Sequence, residues 1–171
     1  MIWFQELQTR KKLSRIFSSY EKTFPADERR DEAQFLALLE NPNSLIFIIK
    51  NEENSIGYVI LWELNDFYFL EHFEVFEEFR NLKLGSQVLQ ELQEKFGNMI
   101  LESEPSDWNE MAERRINFYV RNGYSIVSKE YVQPSYGEGK KELKLFLLGN
   151  FKVENLMAVE FELRSKVYDS I

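Results

Sequence analysis

The chain has 171 residues, 44% of them hydrophobic and 29% charged, a composition suited to a globular domain with its own core. It has no cysteine and one histidine, His72, which excludes disulfides, thiolate nucleophiles and any multi-histidine metal site. The formal net charge of −8 argues against nucleic acid as a partner, so an anionic ligand needs a local cluster of cations or helix-end amides.

In chain order, "IWFQEL" reads as a short strand. "TRKKLSRIFSSYEKTF" follows as a helix, with Leu13, Ile16, Phe17 and Tyr20 on one face and Thr9 as N-cap. "PADERRDEAQFLALLENP" reads as a second helix, opened by Pro25 and closed at Asn41-Pro42. "SLIFIIKN" and "IGYVILWEL" are strands joined by the turn "EENS", and "YFLEHFEVF" is a long third strand. The next helix carries Leu84, Val88, Leu89, Leu92 and Phe96 at helical spacing.

"NMILESEP" is a further strand. The helix after it has Asp107 and Glu110 spaced as a capping box, and Gly123 placed for a left-handed C-terminal cap. Its expected apolar face is Trp108, Met111, Ala112, Ile116, Tyr119 and Val120. "YSIVSKEYVQ" and "KELKLFLL" alternate like two late strands around the loop "PSYGEGK", and the tail carries a weaker helical pattern. The reading is one α+β domain over residues 1–171, with a core at 1–149 and a helical extension at 150–171. The opening residues lack the apolar core of a signal peptide, and no run of about 18 apolar residues is present, so a cytoplasmic protein without membrane attachment is expected.

"FRNLKLGSQVLQEL" concentrates Arg80, Lys83 and Gly85 at a helix entrance, where unpaired amides carry partial positive charge and a glycine lets a ligand approach the backbone. With "INFYVRNGY" on the later helix, this segment resembles the GNAT superfamily of acyl-CoA N-acyltransferases over roughly residues 45–148. The family loop Arg/Gln-x-x-Gly-x-Gly/Ala is matched by Arg80-Asn-Leu-Lys83-Leu-Gly85-Ser86, and Phe-Tyr-x-x-x-Gly-Phe/Tyr by "FYVRNGY". Two positions depart from the pattern. Lys83 replaces the first loop glycine, where a lysine can tolerate a right-handed helical φ and its ammonium can offset lost room with charge, and Ala112 stands where many members carry an asparagine.

The resemblance implies a three-layer α/β/α fold whose mostly antiparallel sheet, of about six to seven strands, is split in the middle and holds acetyl-CoA as cosubstrate. The pantetheine arm is expected along Phe73 to Val75, and the diphosphate on Arg80, Leu82, Lys83, Leu84, Gly85 and Ser86. It implies Tyr119 as the acid that protonates the leaving thiolate, and Glu71 or a water relay there as the base. Strand alternation puts Phe69, Glu71, Phe73 and Val75 on one face, with His72 on the other in a structural role. Glu102 and Glu104 share a face of the neighbouring strand, and with Tyr131, Gln133 and Tyr136 are expected to bind the acceptor.

The function implied is direct acetyl transfer to a primary amine of a small molecule or peptide, without a metal, by a monomer or homodimer. Direct attack suits a chain with no cysteine to carry an acyl intermediate. The competing reading is a GNAT-like module that binds or senses acyl-CoA without turnover.

Overall fold

A computed structural model describes residues 1–171. Seven strands form one sheet in the order β1 (Ile2–Glu6), β2 (Ser44–Asn51), β3 (Asn54–Glu63), β4 (Tyr68–Val75), β5 (Met99–Ser103), β9 (Phe146–Gly149), β6 (Ser125–Ser128). Every neighbouring pair is antiparallel except β4–β5, which is parallel. β7 (Val132–Gln133) and β8 (Leu143–Lys144) form a separate small ribbon, so each expected late strand is interrupted and contributes to two pairings.

Helices α1 (Arg10–Thr23) and α2 (Glu32–Ala37) cover one face, together with the tail helix α5 (Leu156–Glu162) and a π-turn (Leu163–Tyr168). Helices α3 (Leu84–Phe96) and α4 (Glu110–Arg121) cover the other. Each face has its own apolar core. Phe35, Trp62, Phe69 and Leu147 lie in the first, and Leu61, Leu70, Leu89 and Leu101 in the second. This is the three-layer architecture expected from the sequence. No helix is long and apolar enough to cross a membrane.

Two local differences shape the site. The stretch expected as one second helix is broken into a 3-10 turn (Ala26–Glu28), a loop, and α2, which restarts at a capping box between Asp31 and Gln34. The break turns Arg30 inward, where it is 1% exposed. On α4, the N-cap is Asn109, whose side chain accepts from Ala112 N–H at 2.8 Å, and not Asp107. The helix therefore starts later, and Trp108, Met111 and Val120 stay exposed while Ala112, Ile116 and Tyr119 are buried. Gly123 takes φ 89° after the last turn, the left-handed cap expected of it.

Candidate active site

β4 and β5 pair only over Tyr68–Leu70 and Met99–Leu101, and then separate. The cause lies in β4. Ile60 pairs with His72 and the next residue of β3, Leu61, pairs with Leu70, so Glu71 is an extra residue in a β-bulge. A bulge bends its strand and increases its twist, and pairing with β5 ends at Leu70, the residue before it. The edge of β4 from His72 to Val75 is thus left without a strand partner on the cleft side.

The bulge also resets the alternation. Phe69, Glu71, His72 and Glu74 all face the α1–α2 side, whereas Leu70 and Phe73 face the α3–α4 side. Glu71 and His72 therefore share a face, with His72 Nδ1 3.9 Å from Glu71 Oε2, contrary to simple period-two counting. Glu71 is partly exposed as a residue although its side chain is 0% exposed, so the main chain of the bulge is what opens onto the cleft.

The Glu71 carboxylate is committed elsewhere. Arg30 Nη2 lies 2.9 Å from Oε1, Tyr136 O–H donates to Oε1 at 2.9 Å and Trp62 Nε1–H donates to Oε2 at 2.7 Å. Burial by itself raises this carboxyl, but Arg30 overrides it and holds Glu71 below the ordinary carboxylate range. That is the state of a counterion, unsuited to the proton-accepting role expected from its position. His72 Nε2 lies 2.9 Å from the Glu28 carbonyl oxygen, which only accepts, so Nε2 carries the proton and Nδ1 is an acceptor. Burial lowers the His72 pKa despite Glu71, and the ring is neutral.

Between the separated strands lies a cavity of about 240 Å³. Glu28 and Glu102 line it, with Glu104, His72, Ser103 and Tyr119. Burial, reinforced by the Glu104 carboxylate, pushes the Glu28 pKa up to about 7. Burial also pushes Glu102 up to about 7, against the hydrogen bonds it receives from Tyr131 and Tyr168. Tyr168 O–H reaches both oxygens of Glu102, at 2.8 and 2.6 Å. Glu104 is neutralised by Arg115 at 2.8 Å.

Of the three residues expected to bind the acceptor, Gln133 and Tyr136 line the cavity and Tyr131 does not, and all three are buried and bonded internally. Tyr131 donates to Glu102, Gln133 to the Asp27 carbonyl and Tyr136 to Glu71. Tyr131 reaches the cavity wall only through its bond to Glu102.

On the α3–α4 side a groove runs to the start of α3. Arg80, Lys83, Gly85, Ser86 and Arg121 line its far part, and Phe73, Val75 and Arg114 the part nearer the cleft. A Cβ on Gly85 would lie 3.2 Å from the Phe118 ring, so this glycine also lets α3 pack close to α4. Lys83 is left-handed, φ 59° and ψ 12°, and Asn81 likewise has φ 65°. The right-handed φ open to a lysine here is thus not the one it adopts: the loop keeps a glycine-like course with a lysine in it. Arg80 donates to the Val75 carbonyl at 2.9 Å and leans toward Glu74 at 3.6 Å. Leu82 is exposed beside the loop, and Leu84 is buried under it.

Tyr119 and Phe73 line both the groove and the cavity. Burial raises the Tyr119 phenol to about 12, with Arg115 opposing, so it is protonated at neutral pH. Ala112 is buried and supplies only its amide to Asn109.

Arg30, Glu28 and Tyr168 were not singled out from sequence, nor were Arg114 and Arg121. The capping box in "DEAQ" is a legible sign that the chain restarts after Arg30. Arg114 and Arg121, seven apart on α4, share one helix face. Nothing local marks Tyr168.

The Acetyltransferase (GNAT) family profile matches residues 11–124. The curated Bacillus subtilis (strain 168) protein YjbC, named as an acetyltransferase, is 28% identical over 109 residues. That match covers 61% of this chain and 55% of YjbC, so the chain spans about half the length of that relative. A structure from Bacteroides thetaiotaomicron, named as a GNAT-family acetyltransferase, superposes with TM-score 0.88 at 29% identity, covering 97% of this chain and 98% of that one. A GNAT-family acetyltransferase from Elizabethkingia anophelis, solved with acetyl-CoA bound, shares the fold at TM-score 0.54 and 15% identity, over 86% of this chain and 96% of that one. Bulged strand, split sheet, paired motifs and family profile agree, and the chain belongs to the GNAT acetyltransferase family.

Proposed function

We propose that this protein transfers an acetyl group from acetyl-CoA to a primary amine by direct attack in a ternary complex. The observation that carries this reading is the continuity of a cation-lined groove with an acid-lined cavity through the β4–β5 split, with Tyr119 at the junction. The acetyl-CoA seen in the Elizabethkingia relative supports the choice of cosubstrate.

In this account the diphosphate rests on the amides of Leu82–Ser86 with Arg80, Lys83 and Arg121 beside it. The pantetheine arm pairs with the free edge of β4 at Phe73–Val75, as an added strand does. The thioester then lies at the bulge, between the main chain of Glu71 and the Tyr119 hydroxyl. Attack forms the C–N bond and breaks C–S, and Tyr119 gives its proton to the departing thiolate. Glu28 takes the proton from the amine. It faces the cavity, and burial with the Glu104 carboxylate outweighs the opposing Arg115 charge to bring its pKa near the working pH.

Residues 1–171 act as one unit here, because Tyr168 of the tail sets the position of Glu102. The test is release of free coenzyme A in the presence of acetyl-CoA and a panel of amines, with calorimetric titration of acetyl-CoA alone. Binding and turnover support the reading. Binding without turnover on any amine favours the sensing module, and no binding overturns both.

A further inference from the structure

The carboxylates around the cleft differ in one respect. Glu71 is paired with Arg30, Glu74 leans on Arg80 and Glu104 on Arg115. Glu102 and Glu28 have no cation within salt-bridge distance, although both line the cavity. A buried carboxylate is ordinarily paired, since desolvation penalises a lone charge heavily. Glu102 instead has only two phenol donors, Tyr131 and Tyr168.

Two further groups in the cavity wall lack partners. His72 Nδ1 and Ser103 Oγ are buried, their residues 3% and 4% exposed, and neither makes a hydrogen bond within the chain. His72 Nδ1 is an acceptor, because Nε2–H is spent on Glu28 O. The wall is thus rich in acceptors: two unpaired carboxyl groups, an imidazole nitrogen and a serine oxygen. The one full positive charge in it, Arg115, is already bound to Glu104. At about 240 Å³ the space is below the ~300–1,000 Å³ of sites for drug-sized ligands.

Within the acyl-transfer reading of this cleft, we infer that the acceptor is a short alkyl diamine. One end is held as an ammonium by Glu102, with His72 Nδ1 as a further acceptor on the same side of the sheet. The other end is presented to Glu28 at the split. A monoamine leaves Glu102 without its cation, and an amino acid of the same length brings a second carboxylate against it. The groups that face Glu102 are Tyr131 of the β7 approach, Tyr168 of the tail, Glu71 of β4 and Glu28 of the 3-10 turn. The phenols and the distant negative charges leave a cation as the only missing counterpart.

The test is calorimetric binding to the full-length protein saturated with coenzyme A at pH 8, using putrescine, butylamine and γ-aminobutyrate. Putrescine is expected to bind at least about tenfold more tightly than either of the others, the order of one charge-assisted hydrogen bond. In Glu102→Gln, which keeps the size and the phenol partners, that advantage disappears while coenzyme A affinity is retained. Equal binding of the three amines, no binding of putrescine, or an advantage surviving in Glu102→Gln overturns the inference. Turnover is not part of this readout, so failure of acetyl transfer and failure of diamine binding are seen separately.

Discussion

Arg30 Nη2 lies 2.9 Å from Glu71 Oε1, with side chains 1% and 0% exposed, and this pair ties the early loop to the bulge that opens the sheet. Arg30 also donates to the Val167 carbonyl at 3.0 Å and lies against Trp62 and Tyr136, its guanidinium 5.3 and 5.2 Å from their ring centres. The early loop, the central strand and the tail thus meet at one charge.

Removing one partner leaves the other buried without compensation. Arg30→Met is expected to destabilise the protein by about 3–5 kcal/mol in urea unfolding. The double change Arg30→Met with Glu71→Leu costs clearly less than the single one, because no lone charge remains. A double variant less stable than Arg30→Met contradicts this account of the pair.

Tyr119→Phe keeps the ring that separates groove from cavity and removes its proton. The expected result is a fall in kcat of about a hundredfold with unchanged acetyl-CoA affinity. Unchanged kcat removes Tyr119 from the chemistry.

Glu102 supplies a pH dependence with a definite sign. Its pKa is raised in the folded protein, from 4.5 to about 7, so the fold favours the protonated form. Its contribution to stability is full below pH 4.5 and is lost as pH rises through 7. Glu102→Gln, fixed in the neutral state, is therefore expected to be more stable than the parent at pH 8, on the order of 2–3 kcal/mol. The difference narrows as pH falls and closes only below pH 4.5, as thermal unfolding between pH 8 and pH 4 checks.

Lys83 holds a conformation that costs a non-glycine residue about 1–2 kcal/mol, partly offset by the greater chain entropy of glycine when unfolded. Lys83→Gly is expected to gain about 0.5–1 kcal/mol of stability. Its coenzyme A affinity falls several-fold at low salt and converges on the parent at high salt, because a charge beside the diphosphate has gone. Equal affinity at both salt concentrations places Lys83 outside the site.

Much of this was readable from the chain. Periodicity pointed to one α+β domain, and the resemblance carried by "FRNLKLGS" and "FYVRNGY" implied its three layers, the groove at the start of α3 and Tyr119 beside it. Strand alternation failed at Glu71 because a bulge inserts one residue without a marker in the sequence. Arg30 fell within the stretch read as one continuous helix, "PADERRDEAQFLALLENP", and only the break after it and tertiary packing turn it inward. Tyr168 lies 66 residues from Glu102, a pairing that local spacing does not encode. The left-handed Lys83 was hidden for another reason: backbone geometry was kept while the residue that usually signals it was replaced.

A crystal structure of the protein with coenzyme A is the most direct test of the central claim. The account predicts the diphosphate on the amides of Leu82–Ser86, the pantetheine arm along Phe73–Val75 and the sulfur within hydrogen-bond reach of the Tyr119 hydroxyl. Coenzyme A bound elsewhere, or a sulfur directed away from the β4–β5 split, contradicts it.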